Sequence, residues 1–83
     1  MNNWITYILK CNDGSYYTGI TNDIEKRVSD HENGNGAKYT RGRGPFIIVY
    51  QQIQENRSAA SKREIEIKKL TRSEKENLIK QGR

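Results

Sequence analysis

The chain has very few residues that form covalent or metal-bound cross-links. It contains one cysteine, Cys11, and one histidine, His31, among 83 residues. A single cysteine cannot form an internal disulfide, and one cysteine with one histidine cannot supply the four ligands of a structural zinc site. A small domain without disulfides is typical of a reducing compartment, so we expect a cytoplasmic location.

Long hydrophobic runs are also absent. No apolar stretch approaches the roughly 18 residues that a helix needs to cross a membrane. Residues 1–4 show no basic segment leading into an apolar one, which argues against a signal peptide. We therefore expect no membrane partner.

The length restricts the protein to one domain, which we place at residues 1–83. A domain of this size buries only about 60% of the surface that its unfolded chain exposes, so its core is thin. We therefore expect neither a second domain nor a dinucleotide-binding unit. Five tyrosines, one tryptophan and one phenylalanine, together with patterned apolar runs, favour a folded domain over disorder.

Acidic residues are missing from a long central segment. The formal net charge of +5 is common among soluble proteins. Residues 33–54 contain no Asp or Glu, whereas Lys38, Arg41 and Arg43 fall within six positions. Such clustering, rather than the total charge, is typical of a surface that binds nucleic acid.

β-branched and aromatic residues predict three strands, at residues 4–10, 15–21 and 46–52. The first two form a β-hairpin, because Asn12-Asp13-Gly14 between them is a turn signal. The third is the most apolar run, and we expect it to be the central strand.

The length of the hairpin loop decides which side chains share a face of the sheet. A two-residue loop at Asp13-Gly14 leaves Tyr7 and Tyr17 on opposite faces. A three-residue loop places Tyr7 opposite Gly19 and on the same face as Tyr17. The turn residues are compatible with both loops, and the second one suits the chemistry considered below.

Capping patterns predict three helices. Asn22 with Glu25 opens a helix that ends near residue 33, Ser58 caps a helix over residues 59–70, and Thr71 with Glu74 opens a helix to about residue 80. Between the first helix and the third strand, residues 34–45 hold four glycines and the only proline, and form a basic loop. The element order is β-β-α-β-α-α, which predicts an α+β protein.

Charged residues occupy positions where a thin core accommodates them least. The first helix has a buried-type stripe in which Arg27 and His31, four residues apart, point into one small volume. On the second helix, Glu64 borders the inward face. Each residue alone has an ordinary structural interpretation, such as a surface ion pair. Their coincidence with two strand tyrosines and Gly19 favours a functional site.

In chain order these residues resemble the motifs of the GIY-YIG nuclease superfamily. The first family tripeptide corresponds to Thr6-Tyr7-Ile8 and the second to Tyr17-Thr18-Gly19. The later arginine, histidine and glutamate of the family match Arg27, His31 and Glu64, and Asn77 is the candidate for a late asparagine. Residues 36–42 look like the loop of small bacterial stand-alone members. The resemblance covers about residues 4–70 and implies a small three-stranded antiparallel sheet flanked by helices.

The resemblance also implies an activity. It indicates an endonuclease or nickase that hydrolyses DNA phosphodiester bonds with one divalent ion, Mg²⁺ or Mn²⁺, for which Glu64 is a sensible ligand. Arg27 would hold the phosphate, and Tyr7 or Tyr17 would position or activate the water. His31 would relay protons or bind a phosphate oxygen. The residues expected to contact DNA are Gly19, Lys38, Tyr39, Arg41 and Arg43.

The predicted substrate is branched or flapped DNA, as in repair or recombination. Because 83 residues leave no separate targeting module, a protein partner is a candidate for supplying target choice. One alternative is a nucleic-acid-binding module that keeps the nuclease scaffold but cuts weakly or needs a partner. Another is a protein-interaction domain. The acidic Glu64 favours the nuclease, since a carboxylate facing a phosphate repels it in a module that only binds.

Overall fold

The structure is a computed structural model that describes residues 3–82. Residues 1, 2 and 83 lie outside it, so the N-terminal pattern of residues 1–4 is only partly covered. The elements in chain order are β1 (Trp4–Lys10), β2 (Tyr16–Thr21), α1 (Ile24–Glu32), a short 3₁₀ helix (Lys38–Thr40), β3 (Ile47–Gln54), α2 (Arg57–Lys68) and α3 (Arg72–Gln81). The predicted order and the α+β class are confirmed. None of the helices within residues 3–82 is long and apolar enough to span a membrane.

The three strands form an antiparallel sheet in the order β2-β1-β3. The prediction that the most apolar strand is central was wrong, because β1 occupies the centre. Pairing on both sides buries residues 6–9 of β1 completely, whereas Ile47 and Ile53 of the edge strand β3 are 63% and 69% exposed. Apolar content alone does not show which strand is hydrogen-bonded on both edges.

The β1–β2 hairpin has the three-residue loop. The Cys11 N–H donates to the Ser15 carbonyl at 2.8 Å, and Gly14 has a φ of +86°. Tyr7 lies opposite Gly19, and Leu9 lies opposite Tyr17. Side chains alternate along each strand, so Tyr7 and Tyr17 share one face of the sheet.

Two helices begin at different residues from those predicted. Asp23, not Asn22, caps α1, because the Thr21 hydroxyl binds the Asp23 backbone and holds residue 23 outside the helix. For α2 the cap is Asn56, whose side chain accepts the Ala59 N–H at 2.8 Å. The predicted capping box of Thr71 with Glu74 is confirmed at the start of α3.

The sheet separates two clusters of buried side chains. On one face, here called the α1 face, Tyr7 and Leu9 pack with Phe46 and with Ile24 and Val28 of α1. On the other, here called the α2 face, the buried apolar cluster contains β1, β3 and α2 residues packed against α3: Ile8, Tyr50, Ile67, Leu78 and Ile79. The sheet therefore has a separate buried cluster on each of its faces.

Candidate active site

Two tyrosines and a glycine form the floor of the candidate site on the α1 face. The ring centroids of Tyr7 and Tyr17 are 6.4 Å apart. A Cβ atom placed on Gly19 would lie 2.6 Å from the Tyr7 hydroxyl oxygen, which is too close for any L side chain. Gly19 therefore provides the space in which the Tyr7 hydroxyl lies across β2.

Helix α1 places Arg27 and His31 over this floor, as their four-residue spacing predicts. His31 is 1% exposed, and its Nε2 atom lies 2.9 Å from the Tyr7 hydroxyl. Its ring also packs edge-on against the ring of Tyr17 at 5.2 Å. The helix ends one residue later, and Gly34 follows the C-cap with a φ of +80°. This end turns residues 34–45 back over the His31 ring.

The loop contributes a residue to which we assigned no role from the sequence. Thr40, in the 3₁₀ helix, is 1% exposed, and its Oγ1 atom lies 2.7 Å from His31 Nδ1. The same hydroxyl lies 2.9 Å from the Ala37 carbonyl. A Cβ atom on Gly36 would overlap the His31 ring, so this segment packs directly against the imidazole.

Burial keeps the two central groups uncharged at neutral pH. It raises the pKa of Tyr7 to about 12, although the neighbouring Arg27 opposes this shift. The pKa of His31 is lowered by burial and by the positive charge of Arg27. Burial also acts against the charge of Arg27, but the hydroxyls of Tyr7 and Tyr17 beside it outweigh this and raise the pKa of Arg27.

A cleft of about 340 Å³ lies at the edge of β2. Its lining includes Tyr17 and Ile20, which point to opposite faces of the strand, so the cleft wraps around the sheet edge. Arg27 of α1 and Glu64 of α2 reach it from the two sides. The Glu64 side chain is 21% exposed, and its carboxylate lies 3.1 Å from the Lys68 ammonium. A larger cleft, about 640 Å³, runs along β3 and contains none of the candidate residues.

The predicted DNA-contacting residues of the loop have different environments. Lys38 and Arg41 are exposed. The Tyr39 ring, 44% exposed, stacks on Tyr17 with centroids 6.0 Å apart. Arg43 covers the Tyr39 ring at 4.5 Å and forms an ion pair with Asp13. The loop is thereby joined to the tyrosines and to the hairpin turn, and Arg43 is engaged in internal contacts.

Sequence reasoning did not assign the other lining residues of the cleft to the site, Trp4 and Arg57 among them. Trp4 and Arg57 are both part of its wall, and the Arg57 guanidinium lies 5.4 Å from the centre of the Trp4 ring. Arg57 precedes Glu64 by seven residues, two turns of one helix face, and this spacing is a signal that the sequence does carry. Asn77 is exposed on α3 and is not part of the cleft lining.

The sequence and the fold match one class of protein. A family model described as the GIY-YIG catalytic domain matches residues 3–77. The chain therefore belongs to the GIY-YIG family, as its resemblance predicted, and members of this family are generally endonucleases that act on DNA.

Several small bacterial proteins are similar to this chain. A UPF0213 protein of Clostridium perfringens is 60% identical over 73 residues, which cover 88% of this chain and 78% of that protein. A UPF0213 protein of Staphylococcus epidermidis is 50% identical over 82 residues, covering 99% and 100% of the two chains. The solution NMR structure of the UPF0213 protein of Bacillus halodurans is 47% identical, with a TM-score of 0.63 over 96% of this chain and 86% of that one.

Proposed function

We propose that residues 1–83 form a single catalytic domain that hydrolyses DNA phosphodiester bonds as a metal-dependent endonuclease or nickase. The observation that carries the proposal is the cleft at the β2 edge, where Tyr17, Arg27 and Glu64 meet. Next to it, Tyr7 contacts His31 at 2.9 Å. An anion-binding group, a carboxylate and a proton-transfer pair are the groups that phosphodiester hydrolysis requires.

Arg27 is the candidate group for binding the scissile phosphate. Its guanidinium stays charged at every relevant pH, and its planar donors match two phosphate oxygens. Negative charge that develops on the phosphoryl oxygens during attack is stabilised by this fixed cation. Arg57, on the wall of the same cleft, is a candidate for the neighbouring backbone phosphate.

Tyr7 is the stronger candidate for the proton-transfer role, because its hydroxyl has a buried proton acceptor in His31. The Tyr7 side chain is completely buried in the free protein, so the proposed step requires the attacking water to reach its hydroxyl from the neighbouring cleft when DNA is bound. As this water attacks phosphorus, the Tyr7 oxygen accepts a water proton while the Tyr7 phenolic proton passes to His31 Nε2. The bond from phosphorus to the leaving sugar oxygen then breaks, and that oxygen leaves with the bonding electrons and takes up a proton from solvent. Tyr17, which faces the cleft, is then left to orient the attacking water.

Glu64 fits a single-carboxylate site for Mg²⁺ or Mn²⁺. Nucleases of this family generally use divalent metal ions. Within residues 3–82, no group of three or more His, Cys, Asp or Glu side chains is suited to hold a metal by itself. A magnesium ion usually keeps several waters and binds one or two carboxylates together with substrate phosphates, so one carboxylate in an open cleft suffices. When bound, such an ion supplies further positive charge at the phosphate.

The proposed substrate is branched or flapped DNA, such as occurs in repair or recombination. Lys38 and Arg41, exposed on the loop beside the site, would hold the flanking backbone by charge, without reading base sequence. We propose that Gly19, Tyr39 and Arg43 also border this DNA path, and that a protein partner supplies target choice.

The test is a nicking assay over a panel of linear, flapped and branched DNAs with Mg²⁺ or Mn²⁺. We expect Glu64→Gln and Arg27→Ala each to reduce cleavage at least about 100-fold, as loss of transition-state charge stabilisation does. The matched controls are Glu66→Gln, on the same helix, and Lys26→Ala, beside Arg27. Both control residues are exposed, so their variants should cut like the wild type.

The other outcomes separate the alternative functions. Undiminished cleavage by both site variants would reject the assigned site. Salt-dependent DNA binding without cleavage, across all substrates and both metals, would favour the binding module. A protein with no salt-sensitive DNA binding would instead fit an interaction domain.

A further inference from the structure

The hydroxyl of Thr40 has only one proton to donate. Its Oγ1 atom lies 2.9 Å from the Ala37 carbonyl oxygen, and a carbonyl can only accept. The hydroxyl proton is therefore used there. The second contact of Oγ1, at 2.7 Å to His31 Nδ1, then requires the histidine to be the donor.

This assignment determines the direction of the next hydrogen bond. With the proton on Nδ1, a neutral imidazole has a free lone pair on Nε2. The Tyr7 hydroxyl, 2.9 Å away, donates to that lone pair. Arg27 is also beside Tyr7, but a guanidinium has no acceptor and cannot take the tyrosine proton. Each group in the chain therefore donates its proton to the next one: Tyr7 donates to His31, His31 to Thr40, and Thr40 to the Ala37 carbonyl.

The packing around His31 favours this one arrangement. His31 and Thr40 are each 1% exposed, so in the free protein solvent does not replace a lost partner of the imidazole ring. Gly36 lies against the ring, which restricts its rotation. The groups with charge or titratable protons that face His31 are Arg27 and Asp30 on α1, Tyr7 on β1 and Tyr17 on β2.

We infer that Thr40 is a positioning residue that holds His31 in the Nδ1–H tautomer and so makes Nε2 the acceptor for the Tyr7 proton. The inference deepens the proposed function and rests on it for its catalytic consequence. In that step His31 gains a proton at Nε2 and becomes an imidazolium. Its Nδ1–H still donates to Thr40, which keeps the charged ring hydrogen-bonded on both sides.

The tautomer is measurable without any activity, because His31 is the only histidine. Protonated and unprotonated ring nitrogens have well-separated ¹⁵N shifts, and spectra at about pH 7.5 observe the neutral ring. We expect the wild-type protein to carry the ring proton on Nδ1. A proton on Nε2 in the wild type overturns the inference, whatever the variants do.

Two variants then test Thr40 itself. Thr40→Val keeps the shape and removes the hydroxyl, so we expect a mixture of tautomers or a shift to Nε2–H. Thr40→Ser keeps the hydroxyl and should retain the wild-type tautomer. The matched control is Thr6→Val, since Thr6 is equally buried and its hydroxyl donates to Ala60 on the α2 face. An unchanged tautomer in Thr40→Val, or the same change in Thr6→Val, overturns the assignment to Thr40.

Kinetics give a second readout. If the protein cuts DNA, Thr40→Val should lower kcat by about 10-fold or more with little change in KM, because a misoriented histidine impairs proton transfer rather than binding. Thr40→Ser should restore most of the rate. A wild-type protein with the Nδ1–H tautomer and no nuclease activity would refute the proposed function and leave the assignment of Thr40 intact.

Discussion

Tyr7 and Ile8 are neighbours on β1, both completely buried, and they point to opposite faces of the sheet. On the α1 face, Tyr7 has a hydrogen bond to His31 and close ring contacts with Tyr17 and His31. On the α2 face, Ile8 packs with Ile67 and Tyr50. Two equally buried neighbours thus have a hydrogen-bonded polar environment on one side of the sheet and an apolar one on the other.

The two faces also differ in their buried polar side chains and the hydrogen bonds that these form. Buried polar groups cost stability unless each one is hydrogen-bonded. The α1 face meets that condition with its chain from Tyr7 to Ala37. On the α2 face, Ile8 and Ile67 are fully buried and pack against other apolar side chains.

The sharpest contrast between the faces is expected from two tyrosine variants. Tyr7→Phe removes the hydroxyl beside His31 and should reduce cleavage by about 100-fold or more, the usual contribution of a general acid–base group. Tyr16→Phe removes a hydroxyl that lies 3.4 Å from the Glu76 carboxylate on the other side of the sheet, and should cut normally. Single-turnover cleavage rates measure both. Equal rates for the two variants would contradict the role of Tyr7.

The opposite result is expected for the α2 face. Ile67→Ala leaves a cavity in a fully buried position and should lower the free energy of unfolding by about 2–5 kcal/mol. Cleavage per folded molecule should stay near the wild-type value. Ile65→Ala, on the same helix but 54% exposed, is the control and should change stability by less than about 0.5 kcal/mol. Urea unfolding measures both, and Ile67→Val is the milder version if the alanine variant does not fold.

A smaller effect is expected at Gly19 of β2, against which the Tyr7 hydroxyl lies. Gly19→Ala should destabilise the protein by about 1–3 kcal/mol, because the new Cβ forces the Tyr7 ring to move. Combining it with Tyr7→Phe removes the atom of closest approach. The double variant should therefore cost less than the sum of the single ones. Additive free energies in this cycle would show that Gly19 is not required by Tyr7.

The smallest effect is a pH dependence confined to the α1 face. Burial and Arg27 lower the pKa of His31 in the folded state, so the unfolded chain binds the proton more tightly. The stabilising contribution is present above the ordinary histidine pKa of about 6.5 and is lost as the pH falls through the folded value. We expect stability to fall with acidification more in the wild type than in His31→Gln. An NMR titration of His31 with a raised pKa would contradict this.

Local sequence patterns were sufficient for most of the fold. β1 and the three helices were predicted to within a few residues, since strand alternation and capping boxes act over short distances. The same periodicity placed Arg27 and His31 on one inward face of α1. The cap of α1 was assigned one residue early, because the Thr21 hydroxyl that holds Asp23 lies outside any capping pattern.

The candidate site was predictable only in part. Resemblance to the GIY-YIG family brought Tyr7, Tyr17, Arg27, His31 and Glu64 together as candidates. It assigned nothing to Trp4 and Arg57, whose shared place in the cleft depends on β1 and α2 meeting at one edge of the sheet. Thr40 lies in a loop that drew attention only for its basic residues. The role of its hydroxyl could not be predicted, because it depends on the loop folding over His31.

The composition, the periodicity and the turn residues were enough to predict a small α+β domain with a basic loop and with charged residues at inward-facing helix positions. They act through neighbouring residues, so they report which way a side chain faces along its own strand or helix. Tertiary structure alone decided that β1 is central, that α1 and α2 each contribute side chains to the cleft at the β2 edge, and that Thr40 contacts Nδ1 of His31. The strand order and the cleft join residues far apart in sequence. Thr40 and His31 are nearer along the chain, and the folding of the loop between them brings them together.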